Sequence, residues 1–365
     1  MNTRTRKRVS TAAPHPAKRG RHRLGAASAL AVTLLSLSAC SSGSPGTGPG
    51  NAARTPFSPS GLTKPARSPR CPLTGTAAPG GLAPDHPAVA VKVENLPSAR
   101  PQYGLNAADL IYEEPVEAGI TRFLAVFQCH EESRIEPVRS SRLVDASLLP
   151  QLGKPVFGFA GGIGPSLAAV KASGARLVDD ITNPQPFTLD PARAAPHNLV
   201  TSTSALLAAA GNPIGAPKAL FTYSAKPPAG AAAPAIHLAF SYAADVWWRW
   251  NPKAGRYLRF YGTVPARLGD GAQIQTANVV VEQVRVVPSP YVEDANGVHE
   301  NYIGAVGTGP AEVARNGVVI TGTWVHPHPG SPTRLLDSEG QLISLARGPT
   351  WVELLPTTSP ATPPL

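Results

Sequence analysis

Apolar residues along this chain fall into short, nearly continuous runs separated by Gly/Pro-rich stretches, a spacing that predicts strands more often than helices. Residues 88–93 (Ala-Val-Ala-Val-Lys-Val), 110–112 (Leu-Ile-Tyr) and 121–127 (Thr-Arg-Phe-Leu-Ala-Val-Phe) read as buried strands. Between and after them three segments fit helices. Residues 141–152 place Leu143, Val144, Leu148 and Leu149 on one face, 165–177 open on proline at a first helical position, and 201–210 open on Thr/Ser caps. Strands interleaved with helices predict an α/β N-terminal domain over residues 85–225.

After the Pro/Ala-rich residues 226–235 the pattern changes. Residues 246–250 (Val-Trp-Trp-Arg-Trp), a turn at 251–255 and residues 256–261 (Arg-Tyr-Leu-Arg-Phe-Tyr) alternate as a β-hairpin. Residues 277–287 form a long strand, and 317–324, 341–345 and 350–355 supply more. The expectation is a smaller, mostly antiparallel β C-terminal domain over 236–356, followed by a disordered tail at 357–365. Each part is long enough to bury a core of its own.

The start of the chain belongs to neither part. Eight basic residues (Arg4, Arg6, Lys7, Arg8, Lys18, Arg19, Arg21 and Arg23) precede an uncharged run over 24–37, and Leu37-Ser38-Ala39-Cys40 then forms a lipobox. Residues 1–39 are expected to be a lipoprotein signal peptide, with Cys40 the lipidated residue. That places the protein on the outer face of a bacterial cytoplasmic membrane, held there by its lipid anchor. Residues 40–84, rich in Pro, Gly and Ser, read as a disordered tether.

This division removes most of the net charge of +10. Without the signal, 25 Lys and Arg face 23 Asp and Glu, and no electrostatic argument for nucleic acid remains. Cys71 and Cys129 are an even pair in a compartment where thiols oxidise, and a disulfide between them is expected.

The residues with most chemical potential are arginines and carboxylates near turns. Arg100 lies in a Pro-rich loop, Glu113, Glu114 and Glu117 precede Gly119, Arg122 heads a strand, and Arg139-Ser-Ser-Arg142 follows Pro137. Converging from separate loops, such arginines would clamp a phosphate, pyrophosphate or carboxylate by bidentate hydrogen bonds. The alternative pairs them with Glu113, Glu117 and Asp145 as structural ion pairs. His197 and Asn198 stand before a candidate helix start, where an anion could also be received. The glycine-rich residues 159–164 lack the Lys and Ser/Thr of a P-loop, and His326-Pro-His328 is too isolated for a zinc site. No catalytic residue, metal site or cofactor is assigned. The aromatic face of Trp247, Trp248, Trp250 and Tyr257 is either core or a glycan-binding surface.

Several ordered stretches resemble the YerB-like lipoproteins, a family defined by a two-part domain of unknown function. They include Val89-Ala-Val-Lys-Val-Glu-Asn95, Ala99-Arg-Pro-Gln-Tyr-Gly-Leu105, Gly119-Ile-Thr-Arg-Phe-Leu-Ala-Val-Phe127, Pro137-Val-Arg-Ser-Ser-Arg142 and Pro196-His-Asn-Leu199, then Gly322-Thr-Trp324 and Thr350-Trp-Val352. The resemblance implies lipoprotein topology and a two-part division. A looser likeness, in the order of strand, arginine loop, Thr121-Arg122 and Pro137-Val-Arg139, is to the LytR-CpsA-Psr phosphotransferases, whose characteristic Pro-Arg-Asp step is absent here. The combined expectation is a non-enzymatic envelope factor binding a cell-wall intermediate or a wall-assembly protein. The alternatives are a phosphotransferase acting on a polyprenyl-pyrophosphate-linked glycan, and a glycan-binding module.

Overall fold

The computed structural model describes residues 69–226 and 228–358, with the backbone pairing of 361–362. The signal peptide, Cys40, the tether as far as residue 68 and most of the tail lie outside the described residues.

Branched and small apolar residues set out β1 (Val89–Glu94), β2 (Leu110–Pro115), β3 (Thr121–Phe127), β4 (Val156–Phe159) and β5 (Arg176–Asp179). Between them lie α1 (Asp145–Leu148) and α2 (Gly164–Ala172), and a small ribbon, β6 (Thr188–Leu189) with β7 (Leu199–Val200), leads to α3 (Thr203–Ala209). The rest of the chain is strand: β8 (Ala231–Ala232), β9 (Ala235–Ser241), β10 (Ala244–Asn251), β11 (Arg256–Tyr261), β12 (Val264–Pro265), β13 (Gln275–Thr276) and β14 (Asn278–Val284). It ends with β15 (Val286–Val292), β16 (His299–Ile303), β17 (Gly307–Arg315), β18 (Val318–His326), β19 (Arg334–Asp337), β20 (Thr350–Pro356) and β21 (Ala361–Thr362).

These strands build an 11-stranded mixed sheet in the order β19-β18-β17-β14-β20-β2-β3-β1-β4-β5, with β8 added on β18. β20 pairs in parallel with both β2 and β14, so strands from the two halves of the sequence form one continuous sheet. β14, β20, β2, β1, β4 and β5 all point the same way, and β3 runs against them between β2 and β1. Their period-2 alternation sends Val89, Val91 and Val93 to one face and Ala90, Lys92 and Glu94 to the other. The first face packs on α3 and on the six-stranded sheet β12-β11-β10-β9-β21, which also carries β13. The second packs on Leu148, Leu149, Leu152 and Val170, from α1, the turn after it and α2.

Helix is scarcer than the sequence pattern predicts. The segment 141–152 yields only α1 and a 3-10 turn, because Pro150 removes a backbone donor. α2 stops at Ala172, ahead of Gly174 at φ +81°, and Leu177 belongs instead to β5. The run 277–287 divides between β14 and β15, while 341–345 forms isolated bridges through Leu342 and Leu345 and no strand. The chain is already ordered from residue 69, well before residue 84. Cys71 and Leu73 are buried, Tyr223 Oη donates to Leu73 O at 2.5 Å, and Cys71 is bonded to Cys129. Titration of the denatured, unreduced chain should therefore find no free thiol at either position; two reactive thiols would exclude the bridge.

Candidate functional site

Sheet register assembles a line of charge across the strand ends. On the face that packs against α1 and α2, Glu94 of β1 lies opposite Arg122 of β3, which lies opposite Glu114 of β2. Farther along at the same level Leu354 of β20 lies opposite Glu282 of β14. All of these positions are near the carboxyl ends of the parallel strands, the edge where open α/β sheets hold their ligands.

Three arginines meet there. Arg122 is 6% exposed. Of its five N–H donors, Nη1 reaches Ser140 O at 3.3 Å, and Nε has no partner among the described residues. Burial, reinforced by the nearby Arg142 and Arg139 charges, lowers its pKa to about 10, with Glu117 and Glu94 opposing. Arg139 Nε lies 3.2 Å from Glu94 Oε1, an ionic contact without hydrogen-bond geometry, and is the most exposed of the three. Arg142 is clamped: Nε and Nη2 donate to Glu117 at 2.7–3.1 Å, Nη1 donates to Ser141 O at 2.9 Å, and Nη2 lies 2.5 Å from Glu293. Burial pushes Glu117 up, but Arg142 outweighs it and holds the carboxyl below its ordinary value. Burial pushes Glu293 up.

Beside this cluster, Lys92 bonds both Glu114 and Asp145, the latter at 2.8 Å, all three fully buried. Burial raises Glu114 to about 8 although Lys92 opposes it. Glu94 also accepts from His197, whose Nδ1 lies 2.8 Å away. Glu300 accepts from Leu143 N–H at 2.5 Å and from Ser166 Oγ, at the start of α2. Glu293, just after β15, and Glu300 of β16 come from the ribbon β15–β16, which joins neither large sheet by strand pairing and touches β2 through Asn301 Nδ2, which donates to Pro115 O at 3.4 Å. On its other side Glu117 belongs to a tight turn whose next two residues, Ala118 and Gly119, both have positive φ.

Arg122, Arg139, Arg142, Glu117 and His197 are thus brought together, whereas Arg100 and Glu113 are not. Asn95, next along β1 from Glu94, faces the opposite side and takes Arg100 with it: Arg100 bonds Asn95 Oδ1 at 3.1 Å and stacks 3.5 Å above the Tyr261 ring. Glu113 alternates to that face as well and pairs with Arg259 at 2.6 Å. Asn198 instead closes the β6–β7 ribbon, its backbone carbonyl accepting from Asp190 N–H at 2.8 Å. Sequence reasoning singled out Glu114 beside Glu113 but missed Lys92, Glu94, Glu293 and Glu300. A charged residue inside an apolar strand run was the available signal for Lys92; none existed for the ribbon carboxylates.

The four aromatics do not share one exposed face: Trp247 alternates to the other side of β10 from Trp248, half-buried and stacked on the His237 ring at 4.2 Å. Trp248 and Tyr257 are fully buried between the sheets, Trp248 Nε1 donates to Glu353 at 2.7 Å, and Trp250 packs on the same core. The glycine-rich loop carries packing: a Cβ at Gly162 would lie 2.7 Å from Ser141 Oγ. Among the described residues no group of His, Cys, Asp and Glu has the arrangement to hold a metal.

Residues 73–213 match the N-terminal domain, and residues 236–352 the C-terminal domain, of the family described as protein of unknown function (DUF3048). The chain belongs to the DUF3048 family. It is 47% identical over 73 residues to "Putative lipoprotein YerB" of Bacillus subtilis (strain 168), an overlap of 20% of this chain and 22% of that relative. The crystal structure of the YerB protein from Bacillus subtilis superposes with a TM-score of 0.68 at 23% identity, covering 79% of this chain and 96% of that one. That likeness is one of fold. The continuous sheet described above makes both DUF3048 segments parts of one folded unit.

Proposed function

We propose that this DUF3048 protein is a lipid-anchored extracytoplasmic binding protein whose arginine cluster receives the phosphate or pyrophosphate group of a cell-envelope intermediate. The lipobox at Cys40 and the naming of the YerB relative as a lipoprotein support the anchor. The observation that carries the ligand class is Arg122, a buried guanidinium with one hydrogen bond and an orphaned Nε between two further arginines. A buried cation left short of acceptors costs stability, and an anion bearing several acceptor oxygens removes that cost. Arg139 gives the approach from solvent. Glu293, on the ribbon, occupies the Arg142 position that a phosphate oxygen would take.

Calorimetric titration of the detergent-solubilised full chain with inorganic pyrophosphate tests this reading. Saturable binding is expected, weakened about tenfold or more in Arg139→Gln and lost in Arg122→Met, with Glu293→Gln binding more tightly than wild type. Arg122→Met should at the same time be no less stable than wild type, since it removes an undercompensated buried charge. Absence of binding by the wild type, or undiminished binding by Arg122→Met, would overturn the proposal.

A further inference from the structure

Beside the arginine cluster an open cleft of about 450 Å³ runs along the same strand edge. Its floor is Pro115 and Pro356, at the ends of β2 and β20; one wall is the 116–120 turn and the other the β15–β16 ribbon. Val116, Ile120, Phe240, Val286 and Val298 line it. The volume lies within the range of small-molecule sites, and most of the lining residues are apolar, with Glu117, His299, Asn301 and Thr358 the polar ones. Glu117 belongs to both places: its side chain is part of the cleft wall and its carboxylate holds Arg142. Elsewhere on the ribbon Tyr291, Val292 and Tyr302 are 42–50% exposed.

We infer that the cleft is the seat of an apolar chain, and that the ligand is a membrane amphiphile whose phosphate or pyrophosphate head lies on Arg122 and Arg139. This rests on the anion reading above and names the ligand class. Charge and apolar surface are divided as such a molecule requires. The guanidinium group short of acceptors is at one end, the apolar trough adjoins it, and the shared residue Glu117 sits where head would meet chain. A free phosphate or nucleotide would leave the trough empty, and a neutral lipid would leave Arg122 unpaired.

A chain-length series separates the two claims. The full chain in detergent is titrated with inorganic pyrophosphate and with pyrophosphate esters of five-, ten- and fifteen-carbon chains, each below its aggregation threshold. Affinity is expected to rise with chain length, by about tenfold or more from the inorganic ion to the ten-carbon ester, since burial of about two methylene groups supplies that much. Ile120→Asn and Val298→Asn, both in the cleft and neither touching an arginine, should abolish the gain and leave inorganic pyrophosphate binding unchanged. If all four compounds bind equally well, or if the gain survives both cleft variants, the amphiphile inference fails and the anion site stands. If none binds, the anion reading itself has failed.

Discussion

Arg259→Ala should destabilise the protein by about 3–5 kcal/mol, the range for removing one partner of a buried ion pair. Arg259 is fully buried between the two sheets, on the face opposite the arginine cluster. Its guanidinium lies 2.6 Å from Glu113 and 3.5 Å from Glu353, which also accepts from Trp248 Nε1. The rings of Phe123, Trp248, Tyr261 and Trp351 surround it at 4.8–5.4 Å. Removing it leaves two carboxyl groups from adjacent strands in an apolar space with no cation. Burial together with the neighbouring Glu113 already pushes the Glu353 carboxyl well above its ordinary range, even with Arg259 present. The loss should appear in urea unfolding followed by tryptophan fluorescence, and in a midpoint temperature lower by roughly 10 °C. A change below about 1 kcal/mol would mean that the two carboxyls hold protons of their own and that Arg259 contributes packing alone.

The same residue shows where sequence reading stops. Alternation in Arg256-Tyr-Leu-Arg-Phe-Tyr261 correctly gives a hairpin strand, and it puts Arg259 on the face of the fully buried Tyr257. What it cannot give is Glu353, 94 residues away, or Glu113, far earlier on β2, because these meet only when the parallel β20–β2 pairing closes the sheet. The same holds for the candidate site. Arginines near turns were visible as such, and Arg122, Arg139 and Arg142 do converge. Which face each residue takes was decided by a single step of register: Glu94 points to the cluster and Asn95, with Arg100 on it, points away. The ribbon carboxylates Glu293 and Glu300 lie in a stretch of ordinary exposed composition, and nothing local tied them to Arg142 or Ser166. The two-part division of the sequence carried its own bias, since it concealed that β20 completes the strand edge on which β2 and β1 place their charges.

Glu282 provides the second large effect, as a dependence on pH. It is 3% exposed on β14, its Oε1 has no hydrogen-bond partner, and burial raises its pKa from 4.5 to about 8. The nearby Tyr112 hydroxyl is likewise unpartnered and supplies no cation. A carboxyl that keeps its proton when folded and loses it when unfolded stabilises the fold fully below pH 4.5, and that contribution is lost as pH rises toward 8. Glu282→Gln has no such proton to lose. Its stability relative to wild type should therefore climb by about 1.4 kcal/mol per pH unit between roughly pH 5 and 8, then level off once both states of the wild type are ionised. Urea midpoints of the two proteins at four pH values across that window measure the slope directly. Glu114, also raised to about 8, titrates in both proteins and cancels in the difference. Parallel curves would mean that Glu282 is ionised in the folded state, and a buried carboxylate with an unpartnered Oε1 would then require an ion or water beside it.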